Sequence, residues 1–110
     1  MTSNLKEWLA LNGYSQDNLN SVGKYGNSAI MKASREANLS IVDELISLNV
    51  DLNVKNIDGN SALWNACFGD SYACFEALVS AGINIDSQNV NNVTSLMYCA
   101  SAGKDIFVEL

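Results

Sequence analysis

The chain has no histidine and no proline among its 110 residues. Without histidine it lacks the side chain that most often serves as a general base or zinc ligand near neutral pH. Every Ser–His or Cys–His catalytic pair is excluded with it. Positive charge is also scarce: Lys and Arg number 6 against 12 Asp and Glu, the net charge is −6, and the basic positions are scattered along the sequence. A phosphate-backbone binder needs clustered positive charge, as does a protein that lies on an anionic bilayer. Neither nucleic acid nor membrane is therefore an expected partner. No apolar run approaches the roughly 20 residues of a membrane span, and the opening MTSNLKEWLA lacks the basic-then-apolar layout of a secretory leader. The three cysteines, Cys67, Cys74 and Cys99, include no CxxC pair. That pattern fits a reducing compartment better than a disulfide framework, so a cytoplasmic location is expected.

What is present is enough apolar residue for a core, 48% of the chain. At this length one domain of modest stability is expected, because a short chain buries about two-thirds of its unfolded surface. Asparagine is abundant and falls mostly where turns are expected. The informative feature is a phrase that recurs: YGNSAIMKA (Tyr25 to Ala33), DGNSALWNA (Asp58 to Ala66) and, blurred, NNVTSLMYC (Asn91 to Cys99), each 33 residues after the last. With Ser28, Ser61 and Thr94 in register, Ile30, Leu63 and Leu96 coincide, as do Ala33, Ala66 and Cys99. Farther along, Leu45-Ile46 falls on Leu78-Val79, and VDLN (Val50 to Asn53) falls on INID (Ile83 to Asp86).

Each period reads as two helices and a loop. Ser61 is placed to cap the first helix through its hydroxyl. Leu63, Trp64, Ala66 and Cys67 lie on one helical face. Gly69-Asp70-Ser71 breaks that helix, and a second is predicted from about Tyr72 to Ser80, closed by Ala81 and a left-handed Gly82. Asn84 to Asn92 is polar and reads as a hairpin-like connection. A predicted N-terminal helix, Asn4 to Asn12, would bury Leu5, Trp8, Leu9 and Leu11. Pairs of short helices cannot bury their apolar faces alone, so successive copies must stack. The fold class expected is all-α, a solenoid of stacked helix-turn-helix units.

The stretch DGNSALWNACFGDSYACFEALVSAGINID resembles an ankyrin repeat, whose signature is Thr-Pro-Leu-His-x-Ala in a 33-residue frame. The likeness covers about Val22 to Leu110. It divides the chain into a divergent cap (1–21), two whole repeats (22–54 and 55–87) and a shortened third (88–110). The signature proline is replaced by Ala29, Ala62 and Ser95, and the histidine by Met31, Trp64 and Met97. The glycine between the helices is missing in the first repeat (Ala37) and displaced by one in the second (Gly69). Asp105 stands where the family usually has a buried leucine, so the last helix is expected to shift or fray.

The resemblance implies a non-enzymatic module that binds another protein on loop tips and first helices. Carried over by register, the first repeat offers Lys24, Tyr25, Asn27, Arg35 and Glu36. The second offers Ile57, Asp58, Asn60, Phe68 and Gly69. The third offers Val90, Asn91, Val93, Ser101 and Ala102. Tyr25, Ile57, Phe68, Val90 and Val93 would form an exposed apolar stripe, the kind of surface that marks interaction sites. Asp58 and Glu36 at its edge would favour a basic partner segment. Phe107, Val108 and Leu110 would form an unfinished end suited to self-association, the alternative function. A thiol-based enzyme or redox sensor at Cys67 or Cys99 is a weaker alternative, since all three cysteines fall on or beside core faces with no basic cluster nearby in sequence. The spread carboxylates form no facing pair, and GxGxxG, the P-loop and HExxH are absent. No catalytic residue, metal ligand or cofactor is assigned. Leu45 to Asn53 also resembles the pattern of asparaginyl hydroxylation in ankyrin arrays, beside the plainer reading that Asn53 orders its loop.

Overall fold

The computed structural model describes residues 1–103 of the chain. Its helices come in two lengths that alternate. Nine-residue helices are α1 (Ser3–Leu11), α3 (Leu39–Ser47) and α5 (Tyr72–Ser80). Seven-residue helices are α2 (Ala29–Arg35), α4 (Ala62–Phe68) and α6 (Ser95–Ser101). Helices this short do not persist alone in water, so packing must hold them. They stack in two rows: α2, α4 and α6 pack in an inner row, and α1, α3 and α5 in an outer one. Helix α1 thus heads the outer row and stands as the second half of a helix pair.

The rows are bonded by different residues. Small side chains at Ala29, Ala33, Ala62 and Ala66 are buried in the inner row, where they let α2 and α4 approach closely. Leu5, Leu9, Ile41, Val42, Leu45, Phe75 and Leu78 fill the space between inner and outer rows. Leu11, expected on the buried side of α1, is instead 80% exposed, because Leu5 and Leu9 supply that face. Each inner helix ends on a left-handed residue at one register position: Ala37, Asp70 and Gly103, with φ of 58°, 54° and 72°. The outer helices end likewise at Gly13, Asn49 and Gly82.

Helix starts partly depart from expectation. Ser61 and Ser28 occupy the cap positions of α4 and α2 but make no side-chain capping bond, whereas Thr94 accepts from Met97 N–H. The outer helices are capped by Thr2, Asn38 and Ser71. Ser28 and Ser61 are buried against the stack, which competes with capping geometry.

After each outer helix, α1, α3 and α5, asparagine and aspartate do the work of strands. Asn18, Asp51 and Asn84 each accept from the N–H two residues on. Asn20 Oδ1 then takes Asp51 N–H at 2.7 Å, and Asn53 Oδ1 takes Asn84 N–H at 2.9 Å, so each turn is tied to the next repeat. Past these ties the chain forms hairpin loops closed by one repeated backbone bond: Gly23 N to Asn27 O, Asn56 N to Asn60 O, and Asn89 N to Val93 O. Antiparallel bridges Val22–Ser28 and Gln88–Thr94 flank the first and third loops.

Candidate binding face

The hairpin tips stand in a row because their backbones bond to one another. Ile57 N–H donates to Tyr25 O, and Val90 N–H to Asp58 O, both at 3.0 Å. Glycine is needed where the tips touch: a Cβ on Gly59 would lie 2.9 Å from Val90 N, and Gly59 is also left-handed. The ladder leaves Tyr25, Ile57 and Val90 at 59%, 66% and 65% exposure on successive tips. Lys24 Nζ lies 5.1 Å over the Tyr25 ring, and Lys55 Nζ donates to Gln88 O.

The inner helices supply the other wall. Phe68, expected in the exposed stripe, is half-buried: Tyr98 packs edge-on at 4.8 Å and the Arg35 guanidinium lies 5.2 Å over its ring. Val93 is half-buried, and Asn60 is buried at the loop base. Asn91, Ser101 and Ala102 are exposed, with the Ser101 hydroxyl donating to Tyr98 O. Glu36 does not stand as a free acid at the edge. Its carboxylate accepts from the Trp8 indole N–H at 3.3 Å and pairs with Lys32 at 3.4 Å.

Lys24, Tyr25, Asn27 and Arg35 come together at one cleft of about 440 Å³. Sequence reasoning missed five of its residues: Asn12, Tyr14, Gly23, Lys32 and Asn65. Lys32 lies three residues before Arg35 on α2, a spacing that shares a helical face and could have flagged it. Tyr14 belongs to the divergent cap, where no repeat register points at it. Its hydroxyl donates to Asn27 O at 3.1 Å and its ring stacks on Trp8. Burial, with the nearby Glu36 charge second, pushes the Tyr14 phenol pKa up.

The family model for ankyrin repeats (3 copies) matches residues 2–89 and again 30–110. The chain belongs to the ankyrin-repeat family. No curated protein matches it. Ankyrin repeats generally mediate protein–protein interaction, and the described helices form the helix-turn-helix stack of that family. Where the ankyrin signature has histidine, Met31 and Trp64 are buried as apolar plugs, while Met97 in the third repeat is 53% exposed.

The cysteines differ from expectation in one respect. Cys67 on α4 and Cys99 on α6, both fully buried, are joined as a disulfide between neighbouring ankyrin repeats, with Cα atoms 6.4 Å apart. They are 32 residues apart, one short of the repeat, so no CxxC-type spacing announced the pair. Cys74 is free and buried, and burial pushes its thiol pKa up, the opposite of an activated nucleophile. Among the described residues no group of three or more His, Cys, Asp or Glu is placed to hold a metal ion. No described helix is long and apolar enough to cross a membrane. Asp105, Phe107, Val108 and Leu110 lie outside the described residues.

Proposed function

We propose that this ankyrin-repeat protein works by docking one protein partner on the concave face made by its hairpin tips and inner helices, without chemistry of its own. The observation that carries this reading is the row of exposed Tyr25, Ile57 and Val90 on tips bonded backbone to backbone. Apolar side chains held on a rigid ledge lose little entropy on binding, which favours affinity. Lys24, Asn27, Asp58 and Asn91 form the polar margin, and Arg35 and Phe68 the floor. The buried, paired or pKa-raised state of the cysteines supports a binding role over a thiol reaction.

The test is affinity capture from the source cell with the wild type and with Ile57→Asp or Tyr25→Ala. Both variants are expected to lose the captured partner while changing stability by less than about 1 kcal/mol, as surface substitutions do. Retained capture by both would move the binding face elsewhere. Phe68→Ala is a poorer probe, because it strips packing from Tyr98 and Arg35.

A further inference from the structure

The fold segregates charge that the sequence scatters. Within α2, α4 and α6 the charged residues are Lys32 and Arg35, and none is acidic. The outer helices carry Glu7, Asp43, Glu44 and Glu76 against Lys6. Lys24 reaches the same cleft from the first hairpin tip, so three of the chain's 6 basic residues line one cavity in a protein of net charge −6. Among the described residues no carboxylate pairs with Lys24 or Arg35, and the acid nearest Lys32, Glu36, is shared with Trp8. The Arg35 guanidinium lies 5.2 Å over the Phe68 ring, a cation–π contact that favours this placement. A guanidinium fixed by an aromatic face keeps its in-plane N–H fork for a carboxylate, at lower entropic cost than a mobile side chain. Tyr14 and Asn65 add polar wall, and the concave, half-enclosed setting strengthens the local field over that of exposed lysines.

We infer that this cleft receives an acidic segment of the partner, with an Asp or Glu carboxylate seated on Arg35 and met at the rim by Lys24, and with Lys32 joining by exchange from its part-exposed pair with Glu36. This rests on the concave-face reading above and specifies the chemistry that docks there. It reverses the expectation of a basic partner drawn from Asp58 and Glu36, since Glu36 is held by Lys32 and Trp8 and the unpaired charges in the cleft, Lys24 and Arg35, are positive.

Panning a random dodecapeptide display library on the full chain tests it. Recovered peptides are expected to be enriched in Asp and Glu over the unselected library. Synthetic copies, followed by fluorescence polarisation, should bind about tenfold or more weakly to a Lys32→Gln/Arg35→Gln double variant, a loss of at least one well-formed charged contact. Lys24→Gln should give a smaller loss, and replacing the peptide acids by Asn and Gln should mimic the double variant. Thermal midpoints of the variants establish that they fold. Should Lys32→Gln/Arg35→Gln fail to fold, Lys24→Gln and the acid-to-amide peptides carry the test. Neutral or basic peptides that Ile57→Asp displaces would overturn the acidic-segment inference and leave the concave-face reading standing. Peptides indifferent to all these substitutions, or an empty selection, would overturn both. A copy carrying phosphoserine for its acids that binds about tenfold tighter than its parent would reassign the cleft to a phosphopeptide.

Discussion

Two residues at the ends of the inner helices show how a missing or shifted glycine is absorbed. Positions 37, 70 and 103 all adopt left-handed backbone, yet Ala37 and Asp70 carry side chains there. For an L residue that conformation costs about 1–2 kcal/mol. Ala37→Gly should therefore raise stability by about 0.5–1 kcal/mol once the extra freedom of the unfolded chain is subtracted. Urea denaturation reads this directly, and a lower midpoint would contradict it. Gly69, one residue early, has an ordinary φ of −84° and serves a different need. A Cβ there would stand 2.1 Å from the Arg35 carbonyl oxygen, which is backbone and cannot swing away. Gly69→Ala should cost about 1–3 kcal/mol, the usual range for forcing bulk into a packed site. It should also weaken acidic-peptide binding, since Arg35 would be displaced with its helix end.

Helix α1 shows how an element outside the repeat register is secured. Nine residues give it no independent stability. It docks on α3 through Leu5 and Leu9, while Thr2 donates through its N–H and hydroxyl to the Glu44 carboxylate and lowers the Glu44 pKa. Just past its end, neutral Tyr14 donates to Asn27 O, and its raised pKa makes the cap sensitive to base. The sign follows from proton binding. Folded Tyr14 holds its proton more tightly than unfolded Tyr14, so its stabilising share is complete below the unfolded pKa of about 10 and is lost as pH rises through the folded value. Unfolding measured by chemical denaturation from pH 8 to about 11 should show stability falling, and Tyr14→Phe should make that fall shallower. An unchanged slope in Tyr14→Phe would place the alkaline loss on another group.

At the scale of the molecule, stability is a sum of neighbour interfaces, with residues one repeat apart in sequence meeting in space. Asn53 bonding Asn84, Tyr25 bonding Ile57, and Cys67 beside Cys99 are three forms of that meeting. The last is a covalent tie, and its Cα separation of 6.4 Å lies in the range a disulfide spans. Starting from reduced chain, oxidised glutathione should close this bond by thiol–disulfide exchange, releasing two equivalents of reduced glutathione and removing about 2 Da. One thiol, Cys74, should remain titratable in denaturant. Closing a loop of this length should stabilise the third repeat against the second by about 3–4 kcal/mol on the chain-entropy account. A cross-link through Cys74, or none at all, would contradict the pairing.

Local spacing was sufficient for the architecture. The 33-residue recurrence, the apolar faces of Leu63 and Leu78, the break before Tyr72 and the left-handed Gly82 are properties of neighbours along the chain, and they located the helices and their buried sides. The candidate face was legible in part, because register marks which residues reach a hairpin tip. Tertiary structure alone decided that Phe68 lies beneath Arg35 and Tyr98, that Ser61 forgoes its cap, that Cys67 meets Cys99, and that Lys24, Lys32 and Arg35 share a cleft with Tyr14. The physical reason is common to all four. Each depends on which side chain of the adjacent repeat or cap fills the intervening space, and that is set by packing between residues distant in sequence rather than by any preference of the residues themselves.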